Sequence, residues 1–290
     1  MTVSSAMNNF KPHTENLIAP AHFMPNKDLS IIIPVKDNHR GVNHFLKSFI
    51  ASQPKAYYPR EIIIVYNDAK KASVIPQDII RSKLHIRLLS IKGCGPAKAR
   101  NAGANIAKGN WLLFSDSDCV PSKTYIRGYL DSMNGAVGYA GNIRAVGKGI
   151  LSRYYDSQRI LIPPSHANHE PQYLVTANTL IWKPCFHRIC GFNQVFSEAG
   201  GEDIDLAFRL SNVGRLSYAL KSTVLHNFNE NIFDFISRFV RYGRGNRLVE
   251  RLHDIDLSPK PFAPYKKTQI NSLLAFCQYM AMKWGYWRSL

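Results

Sequence analysis

The sequence predicts an α/β fold with a mostly parallel central sheet flanked by helices and a helical extension at the C-terminal end. Short apolar, β-branched runs alternate with helix-period segments between Leu29 and Ser115, the pattern of βαβ units. Several of these runs carry no charge after their first residue and read as buried strands. The run Trp111-Leu112-Leu113-Phe114 stops abruptly at two carboxylates one residue apart, Asp116 and Asp118, at the sheet edge where ligands of open α/β sheets bind. Right-handed crossovers then leave few arrangements of the strands.

Residues 1–27 are polar, contain Pro and His, and show neither periodicity nor an apolar leader. They predict a flexible N-terminal arm and no secretory signal. The first strand is 29–35, followed by a helix over 41–51 with Val42, Phe45, Leu46 and Phe49 at helical spacing. The second strand is 61–66, ending at Asn67-Asp68, and a weaker third covers 84–89. Gly95-Pro96 opens a helix, because proline is pre-organised for a first helical position, and Gly109 closes it. Its apolar face, Ala99, Ala102, Gly103, Ile106 and Ala107, is small enough to lie close on a sheet, with a generic good helix as the equal alternative on propensity alone.

The fourth strand follows and delivers the acidic pair. Beyond a strand end, Asp116 and Asp118 point to the same side, because side chains alternate with period two. Two close carboxylates repel unless a cation lies between them, and a divalent ion bridging phosphate oxygens would serve. A solvated Asp-Ser-Asp turn is the alternative.

Downstream, Val120-Pro121-Ser122 predicts a turn into a helix with Ser122 as N-cap. A strand over 136–145, a helix over 149–162, a loop over 163–171 and a strand over 176–182 come next. Gly200-Gly201 leads into a helix whose first turn holds Glu202, Asp203 and Asp205, where carboxylates suit the helix dipole. Two short strands are expected at 215–220 and 223–226. The domain organisation expected is an arm (1–27), an α/β domain (28–230) and a basic helical extension (231–290).

The formal net charge of +17 implies a polyanionic partner, whether nucleic acid, anionic membrane or phosphorylated substrate. Five cysteines without a C-x-x-C pair argue against a disulfide framework and a cysteine zinc site, and fit a reducing, cytoplasmic compartment. The most apolar stretch, 270–287, is interrupted by Asn271, Gln278 and Lys283 and does not predict a membrane span. Residues 231–290 hold ten Lys/Arg against four Asp/Glu. This extension reads as a basic lid or acceptor surface, with peripheral association to anionic membrane through Leu273, Leu274, Phe276, Met280, Trp284 and Trp287. A last helix packed back on its own domain is the equal alternative.

Four segments stand in order: Ile31 to Val35, Gly95 to Gly103 with its Ala-Arg-Asn, Phe114 to Asp118, and Gly201-Glu202-Asp203 running to Leu210. Together they resemble the inverting glycosyltransferases of the family 2 type, over about residues 29–249. The resemblance implies a GT-A fold, Rossmann-like, and metal-dependent transfer of a sugar from a nucleoside-diphosphate sugar, with Mn2+ or Mg2+ as cofactor. It implies that Pro34, Val35, Asp37, Asn67, Arg100 and Asp116 hold the donor nucleotide, and that Asp118 and His226 hold the metal. It further implies Asp203 as catalytic base, and Glu202, Tyr242 and Arg244 near the acceptor or in a lid.

Tyr66-Asn67 stands where the family often has Asp-Asp, and Lys36-Asp37 where Tyr-Asn is frequent, which leaves the choice of base open. The acceptor stays open among glycan, lipid-linked, peptide and metabolite. The rival reading is a catalytically inactive GT-A-like protein binding nucleic acid or another polyanion. Retention of Asp116, Asp118 and Asp203 argues against it, so nucleic acid is not the expected partner.

Overall fold

The computed structural model describes residues 16–67, 75–228 and 230–288. In chain order the strands are β1 (Leu29–Val35), β2 (Glu61–Tyr66), β3 (Ile86–Ser90), β4 (Trp111–Ser115), β5 (Cys119–Pro121), β6 (Gly138–Val146), β7 (Asn178–Trp182) and β8 (Leu216–Asn227). They form one sheet ordered β3-β2-β1-β4-β7-β6-β8-β5. The pairs β3-β2, β2-β1, β1-β4 and β6-β8 are parallel, whereas β7 runs antiparallel between β4 and β6, and β5 runs antiparallel along β8. The expected mostly parallel sheet is observed, with β7 and β5 as antiparallel members.

Burial explains the order. Every residue of β2 and β4 is buried, and so are all of β1 except Pro34, so these strands occupy the middle with helices on both faces. Helix α1 (Pro25–Asp28) precedes β1, and α2 (His39–Ser52) lays Val42, Phe45, Leu46 and Phe49 on the sheet as its spacing predicts. The short α3 (Gln77–Arg81) precedes β3, and α4 (Pro96–Ile106) joins β3 to β4. Its small face does bring it close: a Cβ on Gly103 would stand 2.6 Å from a methyl of Ile32. Next come α5 (Tyr125–Leu130), α6 (Ile150–Gln158), α7 (Lys183–Arg188) and α8 (Glu202–Ser211).

The C-terminal segment is two long helices, α9 (Ile232–His253) and α10 (Gln269–Trp287). Asn231 caps α9 through a reciprocal box with Asp234, which fixes where this helix begins. The inner sides of both helices join Tyr154, Tyr155 and Phe228 in a second apolar cluster containing Phe235, Phe239, Leu274 and Met282. The helices approach closely at two glycines. A Cβ on Gly243 would collide with the Met282 carbonyl, and one on Gly285 with the Val240 carbonyl.

Three expectations need correction, and one helix was not expected. Residues 1–15 of the expected flexible arm lie outside the described residues, but 16–27 pack on the domain. Leu17 donates its N–H to Val213, Ala19 donates to Gly135, and the Phe23 ring sits 5.8 Å from that of Trp111. A few anchoring apolar residues without periodicity gave no signal. Ser122 does not cap a helix: pairing with β8 keeps 119–121 extended, Ser122 Oγ accepts from Thr124 N–H, and α5 starts at Tyr125. The two short strands expected at 215–220 and 223–226 are one strand, β8, paired with β6 through an irregularity at Gly141/Asn142. Helix α7, with Pro184 in its first turn, carried too little periodicity to be expected.

Candidate donor and catalytic site

From β1 the chain winds outward through β2 and β3, then crosses back so that β4 lies on the other side of β1. This reversal opens a crevice at the carboxyl ends of the parallel strands. Two clefts meet there. The outer one is lined by Pro34, Val35, Lys36, Asn38, Asn67, Asp116, Asp118 and Arg241 among others. The inner one, enclosing about 180 Å³, reaches past Asp203 to Tyr173, Tyr242 and Met282. Arg100, Asp116, Ala199, His226 and Arg238 line both, so the two spaces are continuous.

Arg100 is the hub. It projects from α4, is 4% exposed, and donates from one terminal nitrogen to Asp116 Oδ1 (2.9 Å) and from the other to Glu202 Oε1 (3.0 Å). The neighbouring Asn101 exchanges two 2.8 Å hydrogen bonds with the Phe192 backbone, which pins α4 to the loop after α7. The Ala-Arg-Asn segment therefore serves both site and scaffold.

Asp118 and His226 meet because β5 pairs antiparallel with the end of β8, setting Cys119 opposite His226. His226 Nε2 lies 3.4 Å from Asp118 Oδ1, its ring stacks on Phe228 at 4.2 Å, and its buried Nδ1 has no hydrogen-bond partner among the described residues. Asp118, Cys119 and His226 offer ligand atoms within 4.8 Å of one another. Burial pushes the Cys119 thiol well above its ordinary range, and its sulfur faces the Ala177 carbonyl at 3.7 Å, so without a cation beside it the thiolate is disfavoured. The Asp118 carboxylate and the His226 imidazole are donor types that divalent cations accept. Burial raises the Asp118 carboxyl, the His226 ring opposes that rise, and Asp116 adds to it. A bound cation would relieve such a site.

Asp203 stands in the first turn of α8. The approach is made by Gly200 and Gly201, with φ of +135° and +91°, conformations that favour glycine. Glu202 is buried and closes this turn by accepting from Gly200 N–H (2.6 Å) as well as from Arg100. Desolvation, with the Glu202 charge beside it, pushes the Asp203 carboxyl up to about 8, against the pull of Arg100. Helix α9 supports the turn from outside: a Cβ on Gly201 would stand 2.8 Å from the Gly245 carbonyl. The Tyr242-Gly243-Arg244-Gly245 segment thus consists of two packing glycines, a tyrosine in the inner cleft, and an arginine.

The remaining expected residues divide. Pro34 and Val35 line the outer cleft. Asp37 lies exposed with φ of +54° and does not line it, whereas Lys36 and Asn38 do. Asn67 lines it too, but its amide is committed to the Cys94 backbone: Oδ1 accepts at 2.7 Å and Nδ2 donates to the carbonyl. Arg244 lines neither cleft and pairs with Glu198 at 3.4 Å on the surface. Sequence reasoning missed Arg238, Arg241 and Tyr173. The arginine recurrence along 238–251 held a signal for the first two, without saying which would face inward. Ser117, to which no role attached, accepts from Asn38 at 3.1 Å and ties the acidic turn to the loop after β1.

A sequence model of glycosyl transferase family 2 matches residues 30–198. The pre-mycofactocin glycosyltransferase of Mycobacterium tuberculosis (strain CDC 1551 / Oshkosh) is 25% identical over 243 residues, covering 77% of this chain and 47% of that protein. The chain therefore spans about half the length of the curated relative it matches. Among solved structures, residues 1–349 of S. aureus TarS give a TM-score of 0.57 at 17% identity, covering 79% of this chain and 66% of that one. The mannosyltransferase PcManGT of Pyrobaculum calidifontis, solved with GDP-Man and Mn2+, gives 0.59 at 13% identity, covering 98% and 77%. Both neighbours are GT-A glycosyltransferases, and the likeness shows that fold for this chain.

Proposed function

The chain belongs to glycosyl transferase family 2, and from that premise we propose that it moves a sugar, with inversion, from a nucleoside-diphosphate sugar to an acceptor hydroxyl, with Asp203 as general base. The observation that carries this reading is the double ion pair of Arg100. One guanidinium fixes Asp116 on the donor side and Glu202 beside Asp203, so the two halves of the reaction share a rigid joint. Support for the donor class comes from TarS solved with UDP-GlcNAc and PcManGT solved with GDP-Man.

In this mechanism the outer cleft takes the nucleotide between Pro34-Val35 and Asn67, with Asp116 toward the ribose. Arg238 and Arg241, lining the same cleft, face the diphosphate and hold it by charge-assisted hydrogen bonds. Asp118 and His226 would hold a divalent cation, which supplies charge neutralisation on the departing diphosphate. Asp203 accepts the proton of the acceptor hydroxyl as its oxygen attacks the anomeric carbon from the face opposite the leaving group. Burial and the Glu202 charge push this carboxyl up to about 8, which makes its ionised form a stronger proton acceptor, and that form gains population as pH rises toward 8. The inner cleft, walled by Ile160, Leu161, Tyr173, Phe239 and Met282, receives the acceptor.

A thermal-shift panel of nucleoside diphosphates and sugar nucleotides, with and without Mn2+, tests the reading. One nucleotide class should stabilise the protein and do so more strongly with Mn2+. No response to any nucleotide, together with salt-sensitive oligonucleotide binding, would turn the reading to a polyanion-binding protein.

A further inference from the structure

Helix α10 is apolar on two sides. Leu274, Ala275, Gln278, Ala281, Met282, Gly285 and Tyr286 face inward, and Gln278 and Met282 reach the inner cleft. The opposite side carries Ile270, Leu273, Phe276, Met280, Trp284 and Trp287 at steps of three or four residues, which places them on one face. They remain open to solvent: Leu273 is 63%, Phe276 61%, Trp284 60% and Trp287 55% exposed. A helix apolar all round is ordinarily covered all round, and this one is covered on half.

We propose that the outer face of α10 docks on the surface of an anionic lipid bilayer, lying in the interface without crossing it. Charge selects the occupant. From Leu257 to Leu290 there is no acidic residue, but there are five cations: Lys260, Lys266, Lys267, Lys283 and Arg288. Lys266 and Lys267 stand just before the helix, Lys283 lies within it, and Arg288 caps its end over the Trp284 ring at 5.4 Å. A second copy of a chain with net charge +17 would be repelled from such a face, whereas anionic headgroups are drawn to it. Trp284 and Trp287 bring the aromatic chemistry enriched at the headgroup level. No helix among the described residues is long and apolar enough to cross a membrane, so the mode is interfacial. The docked helix would hold the inner cleft within roughly one helix diameter, about 10–12 Å, of the lipid.

Flotation of the full chain with phosphatidylcholine vesicles, with and without phosphatidylglycerol, tests this independently of any transfer activity. The wild type is expected to float with the anionic vesicles, with a blue-shifted tryptophan emission, and to release as salt rises. Leu273→Ser/Phe276→Ser/Trp284→Ser should lower partitioning by at least about tenfold while leaving the melting temperature and nucleotide response in place. If the triple variant misfolds, Lys266→Glu/Lys267→Glu serves instead and should weaken binding to the anionic vesicles selectively. Absence of flotation with either vesicle overturns the proposal, as does binding unchanged in both variants. A wild-type dimer in sedimentation that the triple variant dissociates, without lipid partitioning, assigns the face to a second copy and also overturns it.

Discussion

Arg100 on α4 and Glu202 on α8 are joined at 3.0 Å with both side chains closed to water, at 5% and 4% exposure. Residues far apart in the chain are thereby locked across the site, and the same guanidinium reaches Asp116. A lysine carries one compact ammonium and cannot span both acids in a fork. Arg100→Lys should therefore leave a buried carboxylate unpaired and cost about 3–5 kcal/mol of stability. Urea melts read this directly, and donor turnover should fall with it; a lysine variant as stable and active as the wild type would show that the joint is dispensable.

The pH dependence follows from Asp203. Its carboxyl stands at about 8 in the fold against an ordinary 3.8, so the folded protein binds this proton more tightly than the unfolded chain. The stability this gives is full below the ordinary value and is lost as pH rises through about 8. Asp203→Asn should remove that slope from the stability profile. Transfer runs the other way, increasing with pH as the base loses its proton and levelling above about 8. The Asn variant should lose about 10²–10⁴ in rate while keeping its nucleotide-induced thermal shift.

Metal dependence should separate His226 from its neighbour Cys119. His226→Ala should abolish the extra stabilisation that Mn2+ adds to a bound nucleoside diphosphate. Cys119→Ser should keep it, because the buried thiol, aimed at the Ala177 carbonyl, is held from ionising. Isothermal titration of Mn2+ into the nucleotide-bound variants distinguishes the two, and equal losses would make Cys119 a ligand.

Close helix packing predicts the effect of adding a methyl group. Gly243→Ala meets the Met282 carbonyl and Gly285→Ala meets that of Val240, so each forces α9 and α10 apart. Each should cost about 1–3 kcal/mol by overpacking. Because Gln278 and Met282 line the inner cleft, acceptor KM should rise more than donor KM.

The sheet was legible because its strands are short apolar blocks, and the acid pair because it interrupts one of them. Asp118 and His226 could be named by resemblance, but their meeting depends on β5 lying against β8, and three residues of strand carry little pattern. Asn67 shows the limit on the donor side: its type suits reading a base, yet its amide is used on the backbone of Cys94. Arg244 shows it on the other side. Arginines recur along α9 at Arg238, Arg241, Arg244, Arg247 and Arg251, but only the folded arrangement brings Arg238 and Arg241 to the clefts and leaves Arg244 outside them.

The place of β8 between β6 and β5 has a consequence for synthesis. The acid pair leaves the ribosome long before the strand that completes its surroundings. Until residues 216–227 arrive, β5 has no sheet to join, and Asp118 has no His226 beside it. Pairing so distant in sequence must meet its loop-closure entropy before its contacts reward it. A nascent chain that has reached only β5 carries Asp116 and Asp118 without His226 beside them, so the proposed metal pair is complete only once β8 is in place.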